Sequence, residues 1–320
     1  MRALLIPCLA AGGMLLASAA AAQTVKITPL GSHEGEFCRF DRAMVLEDPN
    51  GTRVLYDAGR TVRGPKDPRL GTIDAVLLSH VHGDHLGDRH QPSPNAGACG
   101  DPDVSVAVVP VSNTVLITVE KNAKLVVGAE MASFFAKKVA AAGGEAGQVQ
   151  LARYGGQRDV GGVKIYSVPA VHSNGLNPAF LEGAHAEALK DSGLTAYLGP
   201  PGGYVVEFTN GLTVSLSGNT GHTAEQDAVV RRRFGAELVV MNIGGIFTTG
   251  PTEAAFVINE LVQPRAVIAS HANEEATSGG KVKAGSKTAV FTEATKVPVY
   301  PALSDRTMEF DGTGVCVAGC

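Results

Sequence analysis

Short apolar runs separated by glycine, proline and asparagine dominate the chain from residue 25 onward. Segments 43–47 and 53–57 flank Asp48-Pro49-Asn50-Gly51, and Asn-Gly between two apolar runs predicts a β-hairpin, because both residues accept positive φ. Segment 73–79 reads as a buried strand, and 124–127 and 163–168 as further strands. Segments 203–208 and 212–216 form another predicted hairpin about Asn210-Gly211. The period then changes, giving helix at 224–234, strand at 237–242, helix at 252–262 and strand at 266–270. In the first half the clearest helical pattern is 130–142. A β-rich half with one helix, followed by hairpin, helix, strand, helix and strand, predicts two stacked sheets with helices outside. Residues 174–201 are polar, rich in Gly and Pro, and weakly periodic, so they read as a long insertion, the kind of segment that often carries binding function.

Composition narrows the class. The 320 residues are 44% hydrophobic and 18% charged, which excludes a disordered chain or a coiled coil, and 39 glycines favour turns over long helices. The net charge of −4 and the lack of a basic run beyond Arg231-Arg232-Arg233 argue against nucleic-acid binding. Arg2, an apolar stretch at 4–17 and Ala20-Ala21-Ala22 read as a secretory signal over residues 1–22. The expected organisation is therefore a leader followed by one domain over 23–320, periplasmic or secreted and without a membrane attachment once the leader is cleaved. Export makes disulfides expected among the four remaining cysteines, with Cys38–Cys99 and Cys316–Cys320 as the preferred pairing and free thiols as the alternative.

The run His80-Val81-His82-Gly83-Asp84-His85 follows the strand at 73–79. Alternation along a strand aims His80 and His82 the same way, and a turn at Gly83 brings Asp84 and His85 round. Imidazoles with a carboxylate suit Zn²⁺ and other borderline divalent ions, leaving Mn²⁺ and Fe²⁺ open. No Gly-x-Ser-x-Gly elbow and no phosphate-binding P-loop pattern is present, which argues against serine hydrolases and P-loop enzymes.

This run resembles the signature of the metallo-β-lactamase superfamily. Three further segments extend the resemblance toward the branch related to L-ascorbate-6-phosphate lactonase: Val168-Pro169-Ala170-Val171-His172-Ser173, the stretch from Asn242 to Pro251, and Val267-Ile268-Ala269-Ser270-His271. The resemblance implies an α/β fold, a four-layer αβ/βα sandwich with metals at one edge. It implies a first metal site at His80, His82 and His172 and a second at Asp84, His85 and His271. It also implies a metal-bound hydroxide attacking a small-molecule ester, lactone or phosphoester, with Asp84 orienting the water. Where the family carries a metal-bridging aspartate, this chain has Asn219 in Gly218-Asn219-Thr220-Gly221. An amide offers one neutral oxygen in place of a carboxylate. Three readings of that change follow: a dinuclear site with a weakened second ion, a single ion, or His222 standing in as a ligand. β-Lactam hydrolysis and a non-catalytic metal- or ligand-binding role are the competing functional readings. Asp57, at a strand end, reads as a residue that orients a ligand histidine or as a turn aspartate. His33 is a candidate for the site margin, Asp88 for support of the helix after the motif, and His90 and His185 read as ordinary loop histidines. The 244–253 stretch reads as a turn and helix N-terminus, either receiving a substrate anion or simply capped.

Overall fold

The computed structural model describes residues 23–320; the expected leader at 1–22 lies outside the described residues. Two large sheets stack face to face. The first has eight strands in the order Val149–Leu151, Lys124–Val127, Ala75–Leu77, Arg53–Tyr56, Met44–Glu47, Val25–Pro29, Met308–Phe310 and Cys316–Ala318. The second has seven, in the order Gln157–Val160, Val163–Pro169, Gly202–Glu207, Thr213–Leu216, Leu238–Asn242, Ala266–Ser270 and Val299–Pro301.

The period of two along each strand divides the cores. Met44, Leu46, Val54, Tyr56, Ala75, Leu77 and Val126 face the second sheet. Their neighbours Val45, Leu55, Val76, Leu78, Leu125 and Val127 face outward, onto the helices Asn113–Glu120 and Met131–Ala141. On the far side, Ala254, Ala255, Val257, Ile258 and Phe291 cover the second sheet. Strands buried on both faces read as continuous apolar runs, which is why these segments carry so few polar residues. The result is the expected four-layer αβ/βα arrangement. No helix of the described residues is long and apolar enough to cross a membrane.

Each sheet contains a parallel set. Arg53–Tyr56, Ala75–Leu77, Lys124–Val127 and Val149–Leu151 run together in the first. Thr213–Leu216, Leu238–Asn242, Ala266–Ser270 and Val299–Pro301 run together in the second. The carboxyl ends of both sets open at one edge of the sandwich, the place where α/β sheets present ligands. Tyr204 ties the sheets there: its hydroxyl lies 2.7 Å from the Leu78 carbonyl and 2.9 Å from that of Val126.

Several elements depart from the sequence expectation. The strand expected at 73–79 is limited to Ala75–Leu77. The helices expected at 224–234 and 252–262 contain wider, π-type turns at Gln226–Arg231 and Val257–Val262. The helix Asn113–Glu120 was not expected, because its β-branched residues favour strand. A tertiary contact overrides that preference, Thr114 donating to the Leu86 carbonyl at 2.9 Å, and locally Ser112 caps the helix by accepting from the Val115 amide at 3.2 Å. The 174–201 insertion holds a short hairpin and the helix Gly183–Asp191. Leu176 and Phe180 anchor it in the outer core of the first sheet.

Candidate metal centre

Every site residue sits just past a strand end. His80 and His82 follow Ala75–Leu77, His172 follows Val163–Pro169, Asn219 follows Thr213–Leu216, and His271 follows Ala266–Ser270. Gly83–Leu86 forms one helical turn that swings Asp84 and His85 back toward the sheet edge. His271 has φ of 52° and Asp57 has φ of 43°. Non-glycine residues in that region cost roughly 1–3 kcal/mol and cluster at functional sites. Gly244 allows the His271 turn to approach: a Cβ there would lie 2.3 Å from the His271 carbonyl oxygen.

Two groups of three donors form. His80, His82 and His172 converge in one, and Asp84, His85 and His271 in the other; within each group the ligating atoms lie within 4.8 Å of one another. In the first, His80 Nε2 lies 3.1 Å from His82 Nδ1, which lies 3.2 Å from His172 Nε2. In the second, His271 Nε2 lies 3.1 Å from His85 Nε2 and 3.4 Å from Asp84 Oδ2.

Asp57 organises both groups from behind. Its Oδ1 accepts from the Ser79 amide at 2.8 Å, and its Oδ2 accepts from the Ser79 hydroxyl at 2.8 Å and faces His85 Nδ1 at 2.7 Å. A carboxylate oxygen accepts, so Nδ1 of His85 carries the hydrogen toward Asp57 and Nε2 is the atom turned toward the donor group. Having donated to Asp57, the Ser79 hydroxyl accepts from His80 Nδ1 at 2.9 Å, which leaves His80 Nε2 as a lone pair. Of the two readings of Asp57, the structure shows the one in which it orients a ligand histidine.

The electrostatics favour deprotonated donors. Burial, reinforced by neighbouring histidines, holds His80 well below the usual imidazole range and lowers His172 to about 4. Burial and then the Arg42 guanidinium lower His271 to about 3. Burial pushes the Asp84 carboxyl upward, but His85, Arg42 and His271 together outweigh it and hold it well below the carboxylate range. Neutral imidazole lone pairs crowded around an ionised carboxylate fit a divalent cation. Two buried polar atoms of the site, Asn219 Oδ1 and His271 Nδ1, have no partner among the described residues. Asn219 lines the same cleft, with its Nδ2 3.2 Å from His271 Nε2.

His82 and His172 of the first group and Asp84 and His271 of the second line the floor of an open cleft of about 760 Å³, with His80 and His85 buried beneath it. Its walls carry Arg39, Phe40, Arg60, Val171, Ile246, Phe247 and Lys287. Ile246 is 93% and Phe247 72% exposed. Asp84 is the one carboxylate among the described lining residues.

Other sequence candidates lie elsewhere. His33 faces the Gly97 carbonyl at 3.1 Å, away from the cleft lining. His222 is exposed, packs beside Phe256, and joins neither donor group. His90 is 2.7 Å from the Gln91 carbonyl, and His185 is exposed on the insertion helix. Asp88 holds Arg60 through two bonds of 2.7 and 2.8 Å, so it supports the cleft wall. The insertion, expected to carry binding function, contributes nothing to the described lining. It packs behind the motif, where Asn174 Oδ1 accepts from the Val81 amide at 2.9 Å. The helix Pro251–Phe256 caps on Gly250 and also stands outside the lining; only Gly244 and 246–248 of that stretch reach it.

The site contains a residue that sequence reasoning missed. Arg42, with a side chain only 4% exposed, donates from Nε to Asp84 Oδ2 at 2.9 Å and from Nη2 to Asn273 Oδ1 at 2.6 Å. The one local signal was a charged Asp41-Arg42 pair abutting the apolar run Ala43-Met44-Val45-Leu46.

Two stacked sheets with His/Asp donor groups at their shared edge define a metal-dependent hydrolase class, and the comparisons agree. Residues 52–272 match the Beta-lactamase superfamily domain, and the chain belongs to the metallo-β-lactamase superfamily. It is 30% identical over 243 residues to a UPF0173 metal-dependent hydrolase of Cupriavidus necator, covering 71% of this chain and 69% of that one. A second such protein, from Polynucleobacter asymbioticus, is 27% identical over 281 residues, covering 83% and 82%. Among solved structures, the metallo hydrolase Igni18 of Ignicoccus hospitalis shares the fold, with a TM-score of 0.59 at 18% identity over 90% of this chain and 99% of that one. The protein is thus a metal-dependent hydrolase. The finer lactonase-related branch is not supported by these names.

Proposed function

We propose that this protein is an exported hydrolase that cleaves a small ester, lactone or phosphoester bearing an anionic group. The observation that carries the reading is that both donor groups reach one open cleft, through His82 and His172 and through Asp84 and His271. His80, His82, His172, Asp84, His85 and His271 are the proposed ligands, with Asn219 beside them. Zn²⁺ is the proposed ion, since three imidazoles suit it; Mn²⁺ and Fe²⁺ accept the same imidazole and carboxylate donors. Such an ion supplies Lewis acidity and a bound water acidified toward neutrality.

The chain's own residues do the rest. Asp84 lines the cleft beside both triads, and its low proton affinity suits it to orient the attacking water. Lys287 donates to the Ala272 carbonyl at 3.0 Å and makes no ion pair among the described residues, so its charge is available to a substrate anion. Arg60, by contrast, is engaged by Asp88. Phe40, Val171 and Phe247 offer apolar surface for the carbon part. The pairs Cys38–Cys99 and Cys316–Cys320 support an oxidising compartment, where such cross-links persist.

Paired hydrolysis rates on anionic and neutral esters of the same acyl group test the substrate class. Loss of a charge-assisted contact is worth roughly 1.5–3 kcal/mol, so Lys287→Met should raise KM at least about tenfold for the anionic member alone. An equal effect on both esters would contradict the assignment of Lys287.

A further inference from the structure

The two donor groups are chemically unequal, and Arg42 makes them so. Asp84 Oδ2 is the oxygen nearest the second group's nitrogens, 3.4 Å from His271 Nε2 and 3.7 Å from His85 Nε2. It is therefore the atom that group would offer an ion. Arg42 Nε already donates to that same oxygen at 2.9 Å. The guanidinium cannot swing away. Its Nη2 is fixed on Asn273 at 2.6 Å, and its Nη1 on the Arg39 and Asp41 carbonyls at 3.0 and 3.3 Å. Arginine stays charged in proteins, and low-dielectric surroundings strengthen its repulsion of a second cation.

Asn219 adds to the imbalance. It stands against His271 with Oδ1 buried and unpartnered, an oxygen that can ligate but brings no negative charge. The first group has no such burden: no guanidinium contacts its three imidazoles among the described residues, and Ser79 and Ser173 hold the far nitrogens of His80 and His82, at 2.9 and 3.3 Å.

We propose that His80, His82 and His172 form the resident metal site, and that Arg42 and Asn219 together hold Asp84, His85 and His271 as a weak second site. This inference rests on the metal-dependent reading above. Arg42 is a positioning residue here: it acts on an ion through Asp84.

Calorimetric titration of chelator-stripped full-length protein with Zn²⁺ tests it, alongside metal content after dialysis. One equivalent should bind tightly and stay through dialysis, with a second weaker by at least about 10- to 100-fold, the scale on which surrounding residues tune metal affinity. His172→Ala should remove the tight event and His271→Ala should leave it. Asn219→Asp should tighten the second event at least about tenfold, as should Arg42→Gln, which keeps a donor toward Asp84 and removes the charge. Should the buried Arg42 variant fail to fold, Asn219→Asp and the unmodified protein still decide the matter. Two equivalents of matched affinity in the unmodified protein would overturn the inference and leave the hydrolase reading intact. A protein that takes up no Zn²⁺ would overturn both.

Discussion

Asp57 reaches no substrate-facing atom, yet it fixes which nitrogen of His85 and, through Ser79, of His80 faces the cleft. Asp57→Asn would place an amide donor against Ser79 or His85 and reverse that order of donors and acceptors. Zn²⁺ affinity should fall by about 10- to 100-fold while the fold persists, since residues behind metal ligands have effects of that size. Competition with a chromophoric chelator measures it, and unchanged affinity would remove Asp57 from the site's support. Arg42 belongs to the same scale, but its charge works in the opposite sense, restraining the second triad. Its contact with Asp84 spans 42 positions of sequence, so no local pattern announced it. The His-x-His-x-Asp-His run was legible because all four donors lie within one strand end and one helical turn.

At the scale of elements, the loop 38–42 carries unusual responsibility. Cys38 is joined to Cys99, and the Cys38 and Ser32 amides hold the Asp41 carboxylate at 2.7 and 2.8 Å. Phe40 is thereby set at the cleft wall and Arg42 beneath the floor, against Asp84. Replacing Cys38 and Cys99 together by serine should destabilise the protein by about 2–5 kcal/mol, read from chemical denaturation. It should also loosen the Arg42 contact, so the second Zn²⁺ event should tighten. Tyr204→Phe should cost about 1–3 kcal/mol by leaving the Leu78 carbonyl short of a donor between the sheets. A loss within error in either case would contradict the role given to that element. Strands were legible wherever both faces are buried, as in 124–127 and 266–270, because apolar runs leave little choice. The helix Asn113–Glu120 was illegible because its stability comes from partners elsewhere in the chain. The insertion misled for a similar reason: its polar composition concealed Leu176 and Phe180, which seat it behind the motif.

Over the whole molecule, the site is bought with buried histidines that resist protonation. His172 and His271 are lowered from 6.5 to about 4 and about 3 in the fold. The unfolded chain therefore binds more protons as the pH falls below 6.5, and stability must fall with it. Urea denaturation of the metal-free protein should show full stability from these groups above 6.5 and progressive loss down to about 3. A flat profile across that window would contradict the assigned burial. Saturating Zn²⁺, at about 1,000 times its dissociation constant, should add about 4 kcal/mol at neutral pH. Metal-dependent hydrolysis is assigned to the cleft floor. Its most direct test is turnover by the Zn²⁺-loaded protein across aryl esters, lactones, phosphodiesters and β-lactams, with His82→Ala alongside. Hydrolysis of an ester, lactone or phosphoester that disappears in His82→Ala is expected. Turnover surviving in His82→Ala, or no turnover of any class by metal-replete protein, would contradict it.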